Sequence, residues 1–410
     1  MGHRQGFGFR DLTHNIVLKM PLKTALLSFL GFLTSVALSC ASPAVTWGES
    51  SSMSFRLGGA IQTNDNIFLD SDNEISDTIL IFSPGVELNF GNEPSNANVN
   101  LIYVQDFVTY TSNSRLDRDT PDAKLSGSYN TAKSKIRFGA SYKENSQNDA
   151  SNNLSGDLAS RNLFAVNADG EWELTAKSSL SAGYHYNEIE YDNESFHDRE
   201  ADAIPINYYW EATPKLDLSV GYRYRNTSSE PESSFVFQNP NNPLIRSRDY
   251  DDQFFNVGVR GELGAKTTGE IRVGIQKRDF NTPGVKNEDL LSFDANATWA
   301  ATEKSKVSVL FSRDFNADAF GTSIESTDVQ VAGSTSLGGN LIGFASMRLS
   351  DDDYTGGRSD EGLYGQVGIS FAPSTNSAIS FAYVVYNNDS DFAPADFDNS
   401  VFNISGTLRY

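Results

Sequence analysis

From about residue 50 onward the apolar side chains of this chain recur at every second position, and no stretch holds a 3.6-residue period. Leu80, Phe82, Val86, Leu88 and Phe90 share one parity, as do Val99, Leu101, Tyr103 and Phe107, and Ile136, Phe138, Ala140 and Tyr142. The rhythm returns in Phe164, Val166, Ala168 and Trp172, in Ile204, Ile206, Tyr208 and Trp210, in Leu216, Leu218, Val220, Tyr222 and Tyr224, and in Leu291, Phe293, Ala295, Ala297 and Trp299. Successive side chains of a strand point to opposite faces, so each stretch predicts an amphipathic strand. Short links such as TAKSK (131–135), ATPK (212–215), TEKSK (302–306) and PSTNS (373–377) alternate with longer, Asp-rich ones at 63–77, 112–121, 146–160, 191–200, 226–251, 315–327, 350–361 and 388–398. The count between them is about 18 strands, or about 16 if two are overread, at roughly 20 residues for a strand with its connection.

A weak repeat marks the short-turn end. WELTAKSSL begins at Trp172, WEATPKLDL at Trp210 and WAATEKSKV at Trp299, with YNTAKSKI at Tyr129 a near variant. If the apolar parity of each strand faces outward, the last large outward residues before the short turns are Phe90, Tyr129, Trp172, Trp210, Leu263, Trp299, Leu337, Phe371 and Tyr410. Seven of these nine are aromatic. A ring of aromatics at one end of a barrel belongs at a water–lipid interface. The last strand adds Phe402, Ile404, Gly406, Leu408 and Tyr410 on the same face. The bland alternative, a soluble β-sandwich, would also alternate on each strand. It accounts neither for the one-sided aromatics nor for a length-alternating meander with no apolar surplus for a second layer. The fold class expected is all-β: a transmembrane antiparallel up-and-down β-barrel, whose closure leaves no sheet edge unpaired in lipid.

Ahead of the barrel, Lys19 and Lys23 precede the apolar run Ala25–Leu38 and the small residues SCASPA. This is the pattern of an export signal over 1–41, with Met20 an alternative start. A lipoprotein reading through Cys40 is the rival. A short periplasmic leader, 42–51, and the barrel, 52–410, would follow. The 32 Lys+Arg against 53 Asp+Glu give a net charge of −21, which speaks against a nucleic-acid partner. The single cysteine, Cys40, lies in the leader, so the rest of the chain has no thiol chemistry. No cofactor is expected.

Positions of the opposite parity are polar and would face the lumen. They place Arg223 and Arg225, then Arg260, then Arg272 and Arg278 on three consecutive strands, with Asp169, Glu171 and Glu173 expected on the opposite wall. One reading is a cationic stripe that guides an anionic or hydroxyl-rich solute across a transverse field. The other is that neighbours such as Arg260, Glu262, Glu270 and Arg272 neutralise one another. His185 and His197 stand in no nucleophile motif, so catalysis is not expected. The runs DSDNE (70–74), SDDD (350–353) and NNDSD (387–391) carry hard oxygen ligands but lack the glycine and terminal glutamate of an EF-hand, and no metal is assigned. The longest connection, 226–251, with its FVF and two prolines, is expected to fold inward and narrow the pore.

GGAIQTNDNIF (58–68), SPGVELNFG (Ser83–Gly91) and the pair LSVGYRYRNTSSE (218–230) and RDYDDQFFNVGV (248–259) resemble the beta-barrel porin 2 family of bacterial outer-membrane proteins. The resemblance runs over nearly the whole chain after the leader and offers no catalytic residues. It implies a Gram-negative outer membrane with lipopolysaccharide as surroundings. It further implies recognition of Phe402, Ile404, Leu408 and Tyr410 by the barrel assembly machinery, and a link to exopolysaccharide production through other export components. The function expected is a channel for exopolysaccharide or for small polar or anionic solutes. The alternative is a structural or adhesive surface barrel whose acidic loops bind partners or divalent cations.

Overall fold

Every alternating stretch is a strand, hydrogen-bonded to its sequence neighbours in antiparallel register. The structure, a computed structural model, describes residues 43–48, 50–91, 96–152, 156–230, 249–282 and 285–410. The export signal at 1–41 and most of the 226–251 connection lie outside these residues. A three-residue strand, β1 (Val45–Trp47), precedes the barrel. The barrel opens with β2 (Ser51–Asn64), β3 (Asp77–Phe90), β4 (Ala97–Tyr110), β5 (Arg118–Asn130), β6 (Ser134–Ser146) and β7 (Ser160–Thr175). It continues with β8 (Ser178–Tyr191), β9 (Asp198–Thr213), β10 (Leu216–Glu230), β11 (Tyr250–Gly264), β12 (Thr267–Phe280) and β13 (Glu288–Trp299). Then come β14 (Ser305–Ala317), β15 (Ser323–Gly338), β16 (Leu341–Tyr354), β17 (Ser359–Ser374), β18 (Ser377–Ser390) and β19 (Phe397–Arg409). Strands β2 to β19 are the expected eighteen.

Closure is made by β19 on β2, from Val401 opposite Asn64 to Arg409 opposite Arg56. Tyr410 completes the seam, exchanging backbone hydrogen bonds with Phe55 at 2.6 and 2.8 Å. Where β19 stops, β1 takes over the same edge of β2, with Val45 opposite Met53 and Trp47 opposite Ser51. A closed ladder satisfies every strand edge, which hydrocarbon requires. The strands run from 12 residues in β13 to 16 in β7, β9, β15 and β17. A tilted strand needs about 9 to 11 residues to cross a bilayer, so these project beyond it. The projection absorbs much of what the sequence suggests as long connections: 350–361 is mostly β16 and β17, leaving 355–358 as the turn.

The repeat at the short turns has a local cause. The Thr213 hydroxyl accepts from the N–H groups of Lys215 and Leu216 at 3.3 and 3.1 Å. Thr131, Thr175 and Thr302 likewise accept from Lys133, Lys177 and Lys304 at 3.3, 3.2 and 3.1 Å. These are side-chain-closed turns, with the aromatic placed on the outer face three residues, or two at Tyr129, before the threonine. The turn at 337–340 solves the same problem with backbone, through positive φ at Gly338, Gly339 and Asn340. All seven aromatics of the predicted girdle are exposed, from 40% at Phe371 to 53% at Tyr410. Trp47 joins them. It is 48% exposed and stacks on Phe90 with ring centroids 6.4 Å apart and planes at 9°.

The inner face is less uniformly polar than the alternation implies. Ile79, Val108 and Tyr110 face inward in register and pack with Ile67, Phe68, Leu116 and Leu158 beneath the outer connections. Their apolarity anchors loops at the barrel's outer mouth.

Candidate functional site

The five arginines singled out by parity do face inward, but none stands free. Arg223 pairs with Asp314 at 2.6 Å and Arg225 reaches the same carboxylate at 3.2 Å. Arg225 also pairs with Asp252 at 2.5 Å, and Arg278 grips Asp252 through two contacts of 2.8 Å. Nearer the short turns, Arg260 holds Glu171 at 2.6 Å and Asp217 at 3.0 Å, while Arg272 holds Glu270 at 2.7 Å and Asp294 at 3.5 Å. Five guanidiniums thus meet six carboxylates, and the stripe carries no positive surplus.

These pairs also shape the wall. Arg260 on β11 and Glu171 on β7 are separated by four strand spacings, about 19 Å along a flat sheet. So are Arg223 on β10 and Asp314 on β14. Direct contact across such spans requires the arc from β7 to β14 to bend sharply onto itself. Glu171 is therefore not on a facing wall across water from Arg260; it is bonded to it. The concave side of this arc is packed. Tyr209, Tyr250, Phe254, Gln276, Leu290 and Phe315 all fall below 5% exposure. Arg278 is sealed at 0%, stacked 3.6 Å from the Tyr250 ring centroid and 4.7 Å from that of Phe315. It holds the wall together and lines no passage. Arg260 lies 3.4 Å over the ring of Tyr209, whose hydroxyl donates to Glu270 at 3.1 Å. Delocalised guanidinium suits both duties, a face for the ring and a fork for the carboxylate.

Of the other predicted lumen acids, Asp169 meets His185 Nε2 at 2.9 Å, and Glu173 is exposed near the short-turn end. No serine hydroxyl bonds to His185 among the described residues. His197 donates its backbone N–H to Ala319 at 2.8 Å.

Open volume lies on the other side of this packed arc. A cavity of about 580 Å³ is bordered by inward residues of β5, β6, β7, β8 and β9, including Lys124, Ser141, Lys143, Asn187 and Arg199. Its far side is closed by Tyr250 of β11 and by Phe315 and Asn316 of β14.

The outer mouth above it is crossed by the described parts of the connection between β6 and β7, residues 147–152 and 156–159. Asn148 donates to the Phe68 carbonyl at 2.9 Å, and Arg115 to that of Gly156. Arg358, in the turn between β16 and β17, donates to the Ala150 carbonyl at 2.9 Å. The β6–β7 and β16–β17 turns sit on opposite sides of an eighteen-strand ring, so this contact spans the mouth. Burial disfavours the Arg358 charge, yet Asp360 beside it more than compensates and raises its pKa above the ordinary guanidinium range. Ala159 meanwhile packs with Phe196 and Ala319, tying in two further connections. Alternation cannot report such contacts, because they depend on which loops meet in space.

The acidic runs are engaged locally. Asp70 accepts from the N–H groups of Asp72 and Asn73, both at 3.1 Å, and Asp391 from Ser359 at 3.2 Å. Among the described residues no group of three His, Cys, Asp or Glu side chains is arranged to hold a metal ion.

No protein of curated function matches the chain. Solved structures with a similar course include OccAB2 of Acinetobacter baumannii, at 9% identity and TM-score 0.46 over 88% of this chain and 98% of that one. Another is OpdK of Pseudomonas aeruginosa, solved with vanillate, at 11% identity and TM-score 0.45 over 87% of this chain and 99% of that one. A third is FyuA of Yersinia pestis, a ferric yersiniabactin uptake receptor, at 8% identity and TM-score 0.42 over 89% of this chain and 81% of that one. Of the four stretches that carry the family resemblance, RDYDDQFFNVGV lies inside the family match and the other three lie before it. Residues 236–410 match the family described as "Putative beta-barrel porin 2", and the chain folds as a closed antiparallel barrel of eighteen strands.

Proposed function

We propose that the barrel is an outer-membrane channel for small polar or anionic solutes. The observation that carries this reading is the cavity enclosed by a closed ladder and bordered by Lys124, Lys143 and Arg199, which form no ion pair among the described residues. In this reading the girdle sits at the inner interface, lipopolysaccharide surrounds the projecting strands, and the assembly machinery binds the Phe402–Tyr410 strand. Small solutes are favoured over an exopolysaccharide chain because residues 147–152 and 156–159 cross the outer mouth, and a polymer would have to displace them. Partnership with polysaccharide export components would require that displacement. A purely structural or adhesive role through the acidic loops has less support, since Asp70 already caps its own turn and Asp391 accepts from Ser359 at the start of β17.

The test is reconstitution. In planar bilayers the purified barrel is expected to give discrete conductance steps, and proteoliposomes are expected to swell faster in arabinose than in stachyose. Bilayers that stay silent, together with liposomes that do not swell in either sugar, would remove the channel reading.

A further inference from the structure

Lumen-facing cations fall into two populations. The arginines of β10 to β12 are matched by carboxylates. Lys124 on β5, Lys143 on β6 and Arg199 on β9 border the cavity and are in no ion pair among the described residues. Arg199 donates to the Ala317 carbonyl at 2.6 Å, which orients the guanidinium without cancelling its charge. Lys124 is opposite Ser141 in the ladder and Lys143 opposite Asp122, so the two lysines are diagonal neighbours. Diagonal cross-strand neighbours lie about 7–8 Å apart, where like charges repel unless something negative stands between them. Among the residues bordering the cavity, Asp122 is the inward-facing acid. Glu188, also at the border, is outward in register and opposite Glu200. A fourth bordering cation, Arg225, is neutralised by Asp252 and Asp314, so Lys124, Lys143 and Arg199 against Asp122 leave a positive surplus facing open volume.

We propose that this chamber is a binding station for a uronate-type sugar acid. Its carboxylate would lie between Lys124 and Lys143, and its hydroxyls would meet Ser141 and Asn187. Arg199 extends the positive field toward the outer mouth. A carboxylate relieves the lysine repulsion, which a neutral sugar cannot do, and hydroxyls suit the amide and serine groups beside it. The size of the cavity accommodates a mono- or disaccharide. This assignment deepens the channel reading and rests on it for its biological sense, but binding is measurable whether or not the barrel conducts.

The experiment is titration calorimetry on the folded barrel in detergent, with digalacturonate as probe and maltose as its neutral counterpart. Digalacturonate is expected to bind, more weakly as salt is raised, and maltose not to bind. The pair Lys124→Gln and Lys143→Gln should weaken digalacturonate by at least about tenfold, while Lys124→Arg with Lys143→Arg retains it. Heat-modifiable gel mobility checks that both variants are folded. A polygalacturonate of about twenty residues separates two sources of the same chemistry: exclusion of the polymer assigns the station to free sugar acids, and its capture assigns it to a polymer path. Absence of digalacturonate binding, maltose binding as tight, or an unchanged affinity in the folded glutamine pair would overturn the station. Silent bilayers together with liposomes that do not swell would remove the channel reading and leave the station standing.

Discussion

Replacing Asp252 by alanine is expected to destabilise the barrel by about 3–5 kcal/mol, because it leaves the buried guanidinium of Arg278 and the half-buried one of Arg225 without their shared counter-ion. Asp252 is 1% exposed and Arg278 is 0%. Arg225 would keep Asp314, at 3.2 Å, and Arg278 would keep the carbonyl of Asn316 and the hydroxyl of Ser323, at 2.8 and 2.9 Å, but no anion. The comparison is Asp294→Ala. That carboxylate is 45% exposed and 3.5 Å from Arg272, so its loss should cost under about 1 kcal/mol. Urea unfolding of the two variants in lipid vesicles gives the difference. Equal, small losses would mean that the arc from β10 to β14 is open to water and that Arg278, like Arg225, borders the open volume.

Shortening the 147–159 connection to a tight Gly-rich turn is the second large effect expected. The segment is held across the mouth by Arg358 on one side and by the Phe68 carbonyl on the other. Its removal should raise single-channel conductance several-fold and admit larger oligosaccharides in the swelling assay. Arg358→Ala should give part of that rise, since it frees one latch and leaves Asn148 in place. Conductance unchanged by the shortened turn would place the narrowing elsewhere in the lumen.

The architecture is legible in the sequence because lipid imposes a rule at every second residue. A strand in a barrel cannot put Leu218, Val220 and Tyr222 outward without putting Ser219, Gly221 and Arg223 inward, so face assignment follows from parity alone. The girdle is legible for the same reason, and the Trp-x-x-Thr repeat strengthens it with a turn that closes on the threonine hydroxyl. Trp47 escapes because it precedes the alternating region. Its place is fixed by the three-residue β1 and by stacking on Phe90.

Parity also finds the arginines but does not decide between a guiding stripe and mutual neutralisation. It says which face a side chain occupies and nothing of what lies across the lumen. Glu171 is 89 positions from Arg260, and Asp314 is 91 from Arg223. Only the curvature of the wall brings these groups together. Conversely, Lys124 and Lys143 draw no notice in the sequence, each being one lysine on a polar face. Their importance comes from having open volume in front and no acid in contact.

Lipid contact by the outward aromatics is the premise of everything above, and tryptophan fluorescence in brominated vesicles tests it most directly. The chain has four tryptophans, Trp47, Trp172, Trp210 and Trp299, and all four lie in one girdle. The whole emission therefore reports a single depth. Bromines carried high on the acyl chains, near the headgroups, should quench strongly and those near the bilayer centre weakly. Emission unaffected by bromine at either depth would show that these rings touch protein or water, and a membrane-spanning barrel in this orientation would be untenable.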